Sequence, residues 1–210
     1  MSAILELQGV SMSFGGLKAV DNLSFSVNEN EIVSIIGPNG SGKTTTFNVI
    51  SGLYEPDSGD ILLKGESVAG MRPDQVHDKG ISRTFQSLRL FSNMSVLENV
   101  LVGMHSVTDA GLLASMLRLP KVRREEKAMR ERAQEILDMF PGRFSGPRQQ
   151  QPAFSLSYAN RRRLEIARAL ASNPTLLMLD EPVAGMNPME SHEVMEQIKI
   201  LRDKGYTIVM

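Results

Sequence analysis

The sequence contains no cysteine, and this absence excludes several kinds of chemistry. Disulfide bonds, cysteine-ligated zinc, iron–sulfur clusters and thiol catalysis all need the missing side chain. A chain without cysteine also suits the cytosol, where disulfides are rare. The first residues, MSAILELQGV, lack the basic region and the apolar run that begin a signal peptide. The sequence therefore predicts neither a disulfide framework nor a secretory leader.

Long apolar runs and an excess of one charge are missing too. No apolar stretch approaches the ~20 residues that a transmembrane helix needs, so we expect any association with a membrane to depend on a partner. The 23 Lys and Arg residues nearly balance the 24 Asp and Glu residues, which leaves a formal net charge of −1. General nucleic-acid and anionic-membrane binders are usually basic, so this balance argues against both and predicts no nucleic-acid partner.

The chain has 210 residues, 41% of them hydrophobic, which is enough for one sizeable core with or without a small lobe. Apolar patterning predicts strands in the first and last parts of the chain and helices between them. The predicted strands are 4–10, 11–14, 23–27, 31–36, 60–64, 175–179 and 206–210. The predicted helices are 43–51, 129–140, 158–172 and one that begins at Asn187. This order is that of an α/β fold with a helical middle.

Three expectations concern burial. The almost continuous apolar character of 31–36 is typical of a strand that is buried on both faces. Residues 141–152, PGRFSGPRQQQP, are rich in Pro, Gly and Gln and are interpreted as a linker. The charge run at 121–135 and the three arginines at 161–163 are interpreted as solvated helix surfaces.

Residues 37–44, GPNGSGKT, match the pattern G-x-x-x-x-G-K-[ST] without a gap. The glycines let successive N–H groups point at phosphate oxygens, and the helix that follows presents its N-terminus to the same anion. Lys43 can reach the β- and γ-phosphates, and the Thr44 hydroxyl can ligate Mg²⁺. The predicted phosphate-site residues are Gly37, Pro38, Asn39, Gly40, Ser41, Gly42, Lys43, Thr44 and Thr45. The pattern alone predicts a nucleotide bound with Mg²⁺ and does not specify ATP, because kinases, GTPases and many ATPases share it.

Two carboxylates, Asp180 and Glu181, end an apolar strand. The carboxyl ends of strands are where ligands bind in parallel α/β sheets. Asp180 can hold Mg²⁺ directly or through water, and Glu181 can act as a general base on an attacking water molecule. Taken alone, the pair slightly favours a solvated acidic turn. After a complete phosphate loop, the catalytic interpretation is preferred.

Residues 156–170, LSYANRRRLEIARAL, resemble the signature of the ABC ATPase family, Leu-Ser-Gly-Gly-Gln before a helix of this character. The resemblance implies that Ser157, Ala159 and Asn160 serve the ATP held by an opposite subunit, so that two chains enclose two nucleotides. Ala159 and Asn160 depart from the usual Gly-Gln. If position 159 needs a positive φ, alanine costs about 1–2 kcal/mol there. If the position is helical, alanine is harmless or mildly favourable.

The resemblance covers essentially the whole chain and implies further site residues. Phe14 matches the aromatic residue that stacks on adenine, with Val20 beside it, while a core aromatic is about equally consistent with the residues alone. Gln86 matches the glutamine that senses Mg²⁺ and the attacking water. The candidate catalytic residues are therefore Glu181 and Gln86, and the candidate metal ligands are Thr44, Gln86 and Asp180.

The resemblance also implies the fold. An α/β P-loop NTPase core of mixed sheet with helices carries an N-terminal antiparallel β subdomain and an inserted helical subdomain. Residues 1–87 and 166–210 are assigned to the core with the β subdomain, and residues 88–165 to the helical subdomain with the signature loop. The chain ends within the strand that leads to a switch histidine in the family, and His77, His105 and His192 are interpreted as surface residues. We therefore expect that the C-terminal end of the domain is missing, which leaves open a truncated subunit that binds ATP without hydrolysing it.

Four stretches resemble the ATP-binding subunits of branched-chain amino-acid importers: FGGL at 14–17, RTFQ at 83–86, LSY at 156–158 and EPVAGMNP at 181–188. Urea and short-chain amide importers share these motifs. The resemblance implies a peripheral subunit at the cytoplasmic face of the inner membrane. Its partners would be a like or unlike second ATPase subunit, two permeases and, indirectly, a periplasmic binding protein.

Two other classes remain as alternatives. Non-transport ABC ATPases usually carry two cassettes or a long coiled-coil insert, and a P-loop kinase needs an arginine-rich lid. Neither pattern is found in the sequence.

Overall fold

The computed structural model describes residues 3–104 and 120–210. The chain divides into two compact units. The sheet unit consists of Met1–Gln86, Pro174–Pro182 and Ile198–Met210, and the helical unit consists of Ser87–Asn173 and Val183–Gln197. The domain division inferred from the sequence, 1–87 and 166–210 against 88–165, stays a prediction.

An antiparallel sheet begins the sheet unit. Its strands lie in the order β2-β1-β4-β5. They are β1 (Ala3–Phe14), β2 (Leu17–Asn28), β4 (Ser58–Leu63) and β5 (Glu66–Ser67). The predicted strands 4–10 and 11–14 form one strand, because β-bulges keep β1 paired along its length where its register against β2 shifts.

The second sheet of this unit is parallel, and the carboxyl ends of its strands lead into the predicted site residues. Its strands lie in the order β3-β8-β7-β6, all pairs being parallel. They are β3 (Ile32–Val33), β6 (Ile81–Arg83), β7 (Leu176–Met178) and β8 (Thr207–Val209). Three of these strands lead at their carboxyl ends into the phosphate loop, Thr84–Gln86 and Asp180–Glu181. Parallel strands therefore deliver the predicted site residues to one edge of the sheet, and the predicted α/β fold class is confirmed.

The expectation of a doubly buried strand at 31–36 is wrong. The strand is only Ile32–Val33, and both residues are half-buried. Among the described strands β3 pairs only with β8, so it lies at the edge of the sheet. Ile36, at the start of the phosphate loop, is 91% exposed. The apolar run correctly indicates a strand of a parallel sheet. At the edge of that sheet, however, the strand has a neighbouring described strand on one side only, and its side chains are less covered than those of a central strand.

Two helices, α1 (Lys43–Ile50) and α2 (Pro73–Asp78), belong to the sheet unit. Phe47, Val49 and Ile50 of α1 join side chains from both sheets in one hydrophobic core. This packing fixes the helix whose first turn follows the phosphate loop. A third helix, α6 (Pro188–Asp203), contributes residues to both units.

The helical unit contains α3 (Val96–Gly103), α4 (Pro120–Asp138), α5 (Tyr158–Leu170) and the first part of α6. A capping box begins α3: Ser95 Oγ accepts from the Glu98 backbone at 3.2 Å, and a Glu98 carboxylate oxygen accepts from the Ser95 backbone at 2.7 Å. The hydrogen bond from the Ser95 backbone to this carboxylate lowers the pKa of Glu98, and the Ser95 hydroxyl adds to the effect. The apolar face predicted for 129–140 is confirmed, since Ala133, Ile136, Leu137 and Phe140 are buried.

Two burial expectations in this unit are wrong. Residues 141–152 are not a linker, because Phe144 is fully buried against Phe140 at a ring-centroid distance of 5.9 Å and a 3₁₀ turn follows at Gly146–Gln150. Arg162 and Arg163 do not lie on a solvated surface either, since they are 0% and 1% exposed. Ion pairs with carboxylates explain how these two charges are buried.

Of the three histidines, His192 is exposed and His77 is half-buried, while His105 lies outside the described residues.

No helix within residues 3–104 and 120–210 combines the length and the apolar character that crossing a bilayer requires.

Candidate functional site

The phosphate loop folds as its glycines require. Gly40 and Gly42 have φ values of +82° and +87°, in the left-handed region that glycine adopts without penalty. Gly42 is the N-cap residue of α1, and no side chain caps this helix end. A Cβ atom at Gly42 would lie 2.1 Å from the carbonyl oxygen of Ala19. The loop therefore tolerates only glycine at this position.

Lys43 places a cation at the same helix end. Its ammonium nitrogen donates to the carbonyl oxygens of Gly37 and Pro38 at 2.7 and 2.8 Å. The lysine is thus held across the loop, beside the free N–H groups and the partial positive charge of the first turn of α1. A helix N-terminus with an adjacent ammonium group is a site for an anion such as a phosphate group.

A cavity of about 460 Å³ opens over this loop. Nine of its lining residues were predicted from the sequence: Phe14, Asn39, Gly40, Gly42, Lys43, Thr44, Thr45, Gln86 and Glu181. The other three, Leu17, Lys18 and Ala19, begin β2 and were missed. The signal for them was available, because the Gly15-Gly16 turn pairs Phe14 with Leu17 and so brings the start of β2 beside the predicted aromatic residue.

The predicted residues of this unit divide between the cavity lining, which includes Phe14, and positions outside that lining. Phe14 is 45% exposed and packs edge-on against Tyr54, with ring centroids 5.3 Å apart. Val20 is buried and lies beneath Gly42, so its contact with adenine stays a prediction. The residues that do not line the cavity are Val20, Gly37, Pro38, Ser41 and Asp180.

The acidic pair separates into a buried and an exposed carboxylate. Asp180 is 7% exposed, and one of its carboxylate oxygens accepts from the guanidinium group of Arg83 at 2.8 Å. Glu181 is exposed and accepts from the Gln86 side-chain amide at 3.1 Å. Glu181 has a φ of +47°, which is unfavourable for a non-glycine residue and typical of functional sites. The structure thus joins both predicted catalytic residues at the cavity.

The donor set fits Mg²⁺ delivered with a nucleotide. No cluster of three or more His, Cys, Asp or Glu side chains suited to a metal occurs in the described part of the chain. Mg²⁺ bound with ATP does not need one, because it takes one or two protein oxygens and completes its shell with phosphates and water. Thr44, Gln86 and Asp180 supply a hydroxyl, an amide and a carboxylate oxygen in the same unit.

The signature segment lies in the helical unit, and its backbone decides between the two interpretations of Ala159. Ser157 is the N-cap of α5, and its hydroxyl accepts from the Asn160 backbone at 3.4 Å. Ala159 lies within the helix, is 2% exposed and has no positive φ. The position is helical, so alanine carries no conformational penalty there.

Asn160 belongs to a polar network that holds α5. Its side-chain oxygen accepts from the Arg163 guanidinium at 3.0 Å. Arg163 also donates to Gln197 at 3.1 Å and to Glu193 at 2.7 Å. Burial lowers the pKa of Arg163, the nearby charge of Arg143 adds to this effect, and Glu193 opposes it. The departure from glutamine at position 160 therefore comes with an intramolecular partner for the shorter amide.

A glycine loop between a parallel strand and a helix, with a lysine over the loop and carboxylates at a neighbouring strand end, defines a P-loop nucleotide-binding protein. The family model described as "ABC transporter" matches residues 20–184. The chain belongs to this family, and the predicted enzyme class, an ATPase coupled to transmembrane transport, is confirmed.

Two relatives of the chain share the same described role. The chain is 43% identical over 207 residues to the high-affinity branched-chain amino acid transport ATP-binding protein LivG of Salmonella typhimurium, covering 99% of this chain and 80% of that protein. It is 41% identical over 212 residues, with the same coverage, to the BraF protein of Pseudomonas aeruginosa, which has the same description.

Solved structures agree with the fold. A crystal structure of an ATP-binding cassette of an ABC transporter in its ADP conformation superposes with a TM-score of 0.84 at 34% identity, covering 100% of this chain and 80% of that one. A bacterial ABC transporter cassette solved as a dimer gives 0.76 at 27% identity, covering 98% of this chain and 86% of that one.

Proposed function

We propose that this chain is the ATP-binding and ATP-hydrolysing subunit of an importer for branched-chain amino acids or a related small amide or urea. The observation that carries the proposal is the cavity in which the phosphate loop, Gln86 and Glu181 come together. The descriptions of the relatives support the substrate class. The near-full coverage of this chain by those relatives supports a common role for the whole of it.

The chemical step follows from the site. The loop N–H groups and Lys43 bind the phosphate groups of ATP, and the exposed ring of Phe14 receives the adenine. A water molecule attacks the γ-phosphorus, and its proton goes to the carboxylate of Glu181. The bond between the γ-phosphorus and the bridging oxygen breaks, which leaves ADP and inorganic phosphate. Gln86 orients Glu181 through the 3.1 Å hydrogen bond before the reaction.

Mg²⁺ enters the proposal as the ion that accompanies ATP. When bound, it neutralises charge on the β- and γ-phosphates. Thr44, Gln86 and Asp180 are proposed to hold it, each through an oxygen atom. We assign Ser157, Ala159 and Asn160 to the ATP of a second subunit, because α5 presents another helix N-terminus suited to a phosphate.

The proposed partners are a like or unlike second ATPase subunit, two permeases and, indirectly, a periplasmic binding protein. A dimer is supported by the related cassette that was solved as one. Attachment to permeases would place the chain at the cytoplasmic face of the inner membrane.

Reconstitution tests the proposal. The chain is co-purified with its permeases and second ATPase in vesicles that enclose MgATP, with the binding protein outside. We expect uptake of labelled leucine, isoleucine or valine that requires ATP. If only urea or acetamide is taken up, the substrate is a small amide or urea rather than a branched-chain amino acid, and the proposed role of the chain as the ATPase subunit is unaffected. ATP binding without turnover in the complete assembly would contradict the proposed hydrolysis.

A further inference from the structure

Arg83 is a buried cation that none of the predicted roles uses. It ends β6, immediately before the segment that carries Gln86. Its side chain is 6% exposed, and that of its partner Asp180 is 10% exposed. A charge this deeply buried needs a reason, because burial removes most of its hydration.

The guanidinium group joins two parts of the sheet unit. One nitrogen donates to the Asp180 carboxylate at 2.8 Å, and the other donates to Asn48 at 2.7 Å and to Ser51 at 3.0 Å. Asn48 lies in α1 and Ser51 is its C-cap residue. The carboxylate at the end of β7 is therefore tied to the helix that begins with Lys43 and Thr44.

Two aromatic rings complete the surroundings of this cation. The guanidinium carbon lies 5.4 Å from the ring centroid of Phe47 and 5.2 Å from that of Phe85. The Nε atom of Arg83 is buried with no hydrogen-bond partner in the described part of the chain. The group is thus fixed in place by contacts from three elements, while one of its donors is left unsatisfied.

A gain in stability is a weak explanation for the burial of the Arg83–Asp180 ion pair. Apolar residues of similar volume often stabilise a core as well as a buried ion pair does, or better. The guanidinium group of Arg83 is hydrogen-bonded to Asn48 and Ser51 as well as to Asp180, so it can hold the carboxylate in one orientation. One oxygen of Asp180 is committed to Arg83, which sets the direction in which the other oxygen points.

We propose that Arg83 is a positioning residue for the metal-binding carboxylate of Asp180, and that it couples this carboxylate to α1 and the phosphate loop. The inference rests on the proposed role of Asp180 toward Mg²⁺. Arg83 touches neither the nucleotide nor the metal ion in this role. It acts by holding the Asp180 carboxylate in one orientation relative to the Thr44 hydroxyl.

Manganese binding provides the test. The protein is loaded with a stoichiometric nonhydrolysable ATP analogue and titrated with Mn²⁺, and bound Mn²⁺ is measured from its EPR signal. Arg83→Met should raise the Mn²⁺ concentration for half-saturation about tenfold, the size expected from one charge-assisted hydrogen bond. Asp180→Asn should raise it at least as much. The double variant should be no weaker than Asp180→Asn alone, because Arg83 acts through Asp180.

A milder variant and a control variant distinguish a loss of positioning from misfolding. Asn48→Ala keeps both charges and removes one hydrogen-bond acceptor of Arg83, so it should raise the Mn²⁺ midpoint a few-fold while circular dichroism shows that the protein remains folded at the assay temperature. Arg72→Met is the matched control: Arg72 also pairs with an aspartate at 2.7 Å, but its side chain is 72% exposed. This control should bind Mn²⁺ as the natural protein does.

The outcomes separate the two proposals. If Asp180→Asn leaves Mn²⁺ binding unchanged, the proposed metal role of Asp180 is wrong. If Asp180→Asn weakens binding while Arg83→Met and Asn48→Ala do not, only the role of Arg83 is wrong. Tighter Mn²⁺ binding in Arg83→Met would show that Arg83 competes with the metal ion, which also overturns the inference.

Discussion

The phosphate loop and the signature segment each present a helix N-terminus, but they build it differently. At α1 the N-cap is Gly42, with a φ of +87° and no side-chain cap. At α5 the N-cap is Ser157, whose hydroxyl accepts from a backbone N–H group, and the helix begins at the next residue. In the loop the backbone conformation itself is the binding device, whereas in the segment a side chain caps an ordinary helix. A departure from a motif therefore matters according to the backbone conformation of the residue that changes.

The largest effect is expected at Glu181, on the phosphate-loop side of this comparison. Glu181→Gln removes the proposed base and keeps the size of the side chain, so the turnover number in the assembled transporter should fall by about 10²–10⁴-fold. ATP affinity should remain, because the phosphate contacts are untouched. Glu29→Gln, at another exposed glutamate, is the control and should have no effect. Equal turnover by Glu181→Gln and the natural protein would remove Glu181 from the mechanism.

Gly42→Ala tests whether the loop backbone is the binding device. A left-handed φ costs alanine about 1–2 kcal/mol, and the close approach to Ala19 adds an overpacking cost of about 1–3 kcal/mol. The affinity for ATP, measured by calorimetry, should fall by about 100-fold. Gly65→Ala is the matched control, since Gly65 has a φ of +80° with nothing within 4 Å of its added Cβ. It should lower stability and leave ATP affinity intact.

A smaller effect is expected for Arg163, where the signature segment depends on side chains. Arg163→Met removes hydrogen bonds to Asn160, Gln197 and Glu193 and should lower the free energy of unfolding by about 2 kcal/mol. Urea denaturation of the whole chain measures this change. Arg130→Met, at an exposed arginine of α4, should change it little. Similar losses in both variants would mean that the network around Arg163 contributes no more than a surface charge does.

Local pattern was enough to predict the parts of the fold that depend on local chemistry. The phosphate loop, the helix after it and the strand before Asp180 were all predicted from residue types at fixed spacing. Nine residues of the cavity lining followed from these motifs and from the family resemblance. The start of β2 was missed, because its place in the cavity comes from pairing across the Gly15-Gly16 turn rather than from any functional residue type.

Burial of charge could not be predicted from the sequence. The run Arg161–Arg163 has the composition of a solvated helix surface, yet two of its members are buried. Their carboxylate partners are Glu165, on the same helix, and Glu193, 30 residues away along the chain. The same holds for Arg83 and Asp180, which are 97 residues apart. The pairs that join different elements form only once tertiary structure brings those elements together, and the burial of the Arg162–Glu165 pair within one helix likewise depends on what packs over that helix.

The smallest effect is expected at Ala159. Whether Ala159→Gly raises or does not raise turnover tests the difference between the signature segment and the phosphate loop most directly. Restoring the family's glycine at a buried helical position adds backbone entropy to the unfolded chain and gains no contact. Ala159→Gly should therefore lower the free energy of unfolding by about 1 kcal/mol and should not raise turnover in the assembled transporter. Ala167→Gly, at another buried alanine of α5, is the matched control and should cost a similar amount. Higher turnover in Ala159→Gly alone would show that the signature segment, like the phosphate loop, uses its backbone as a binding device.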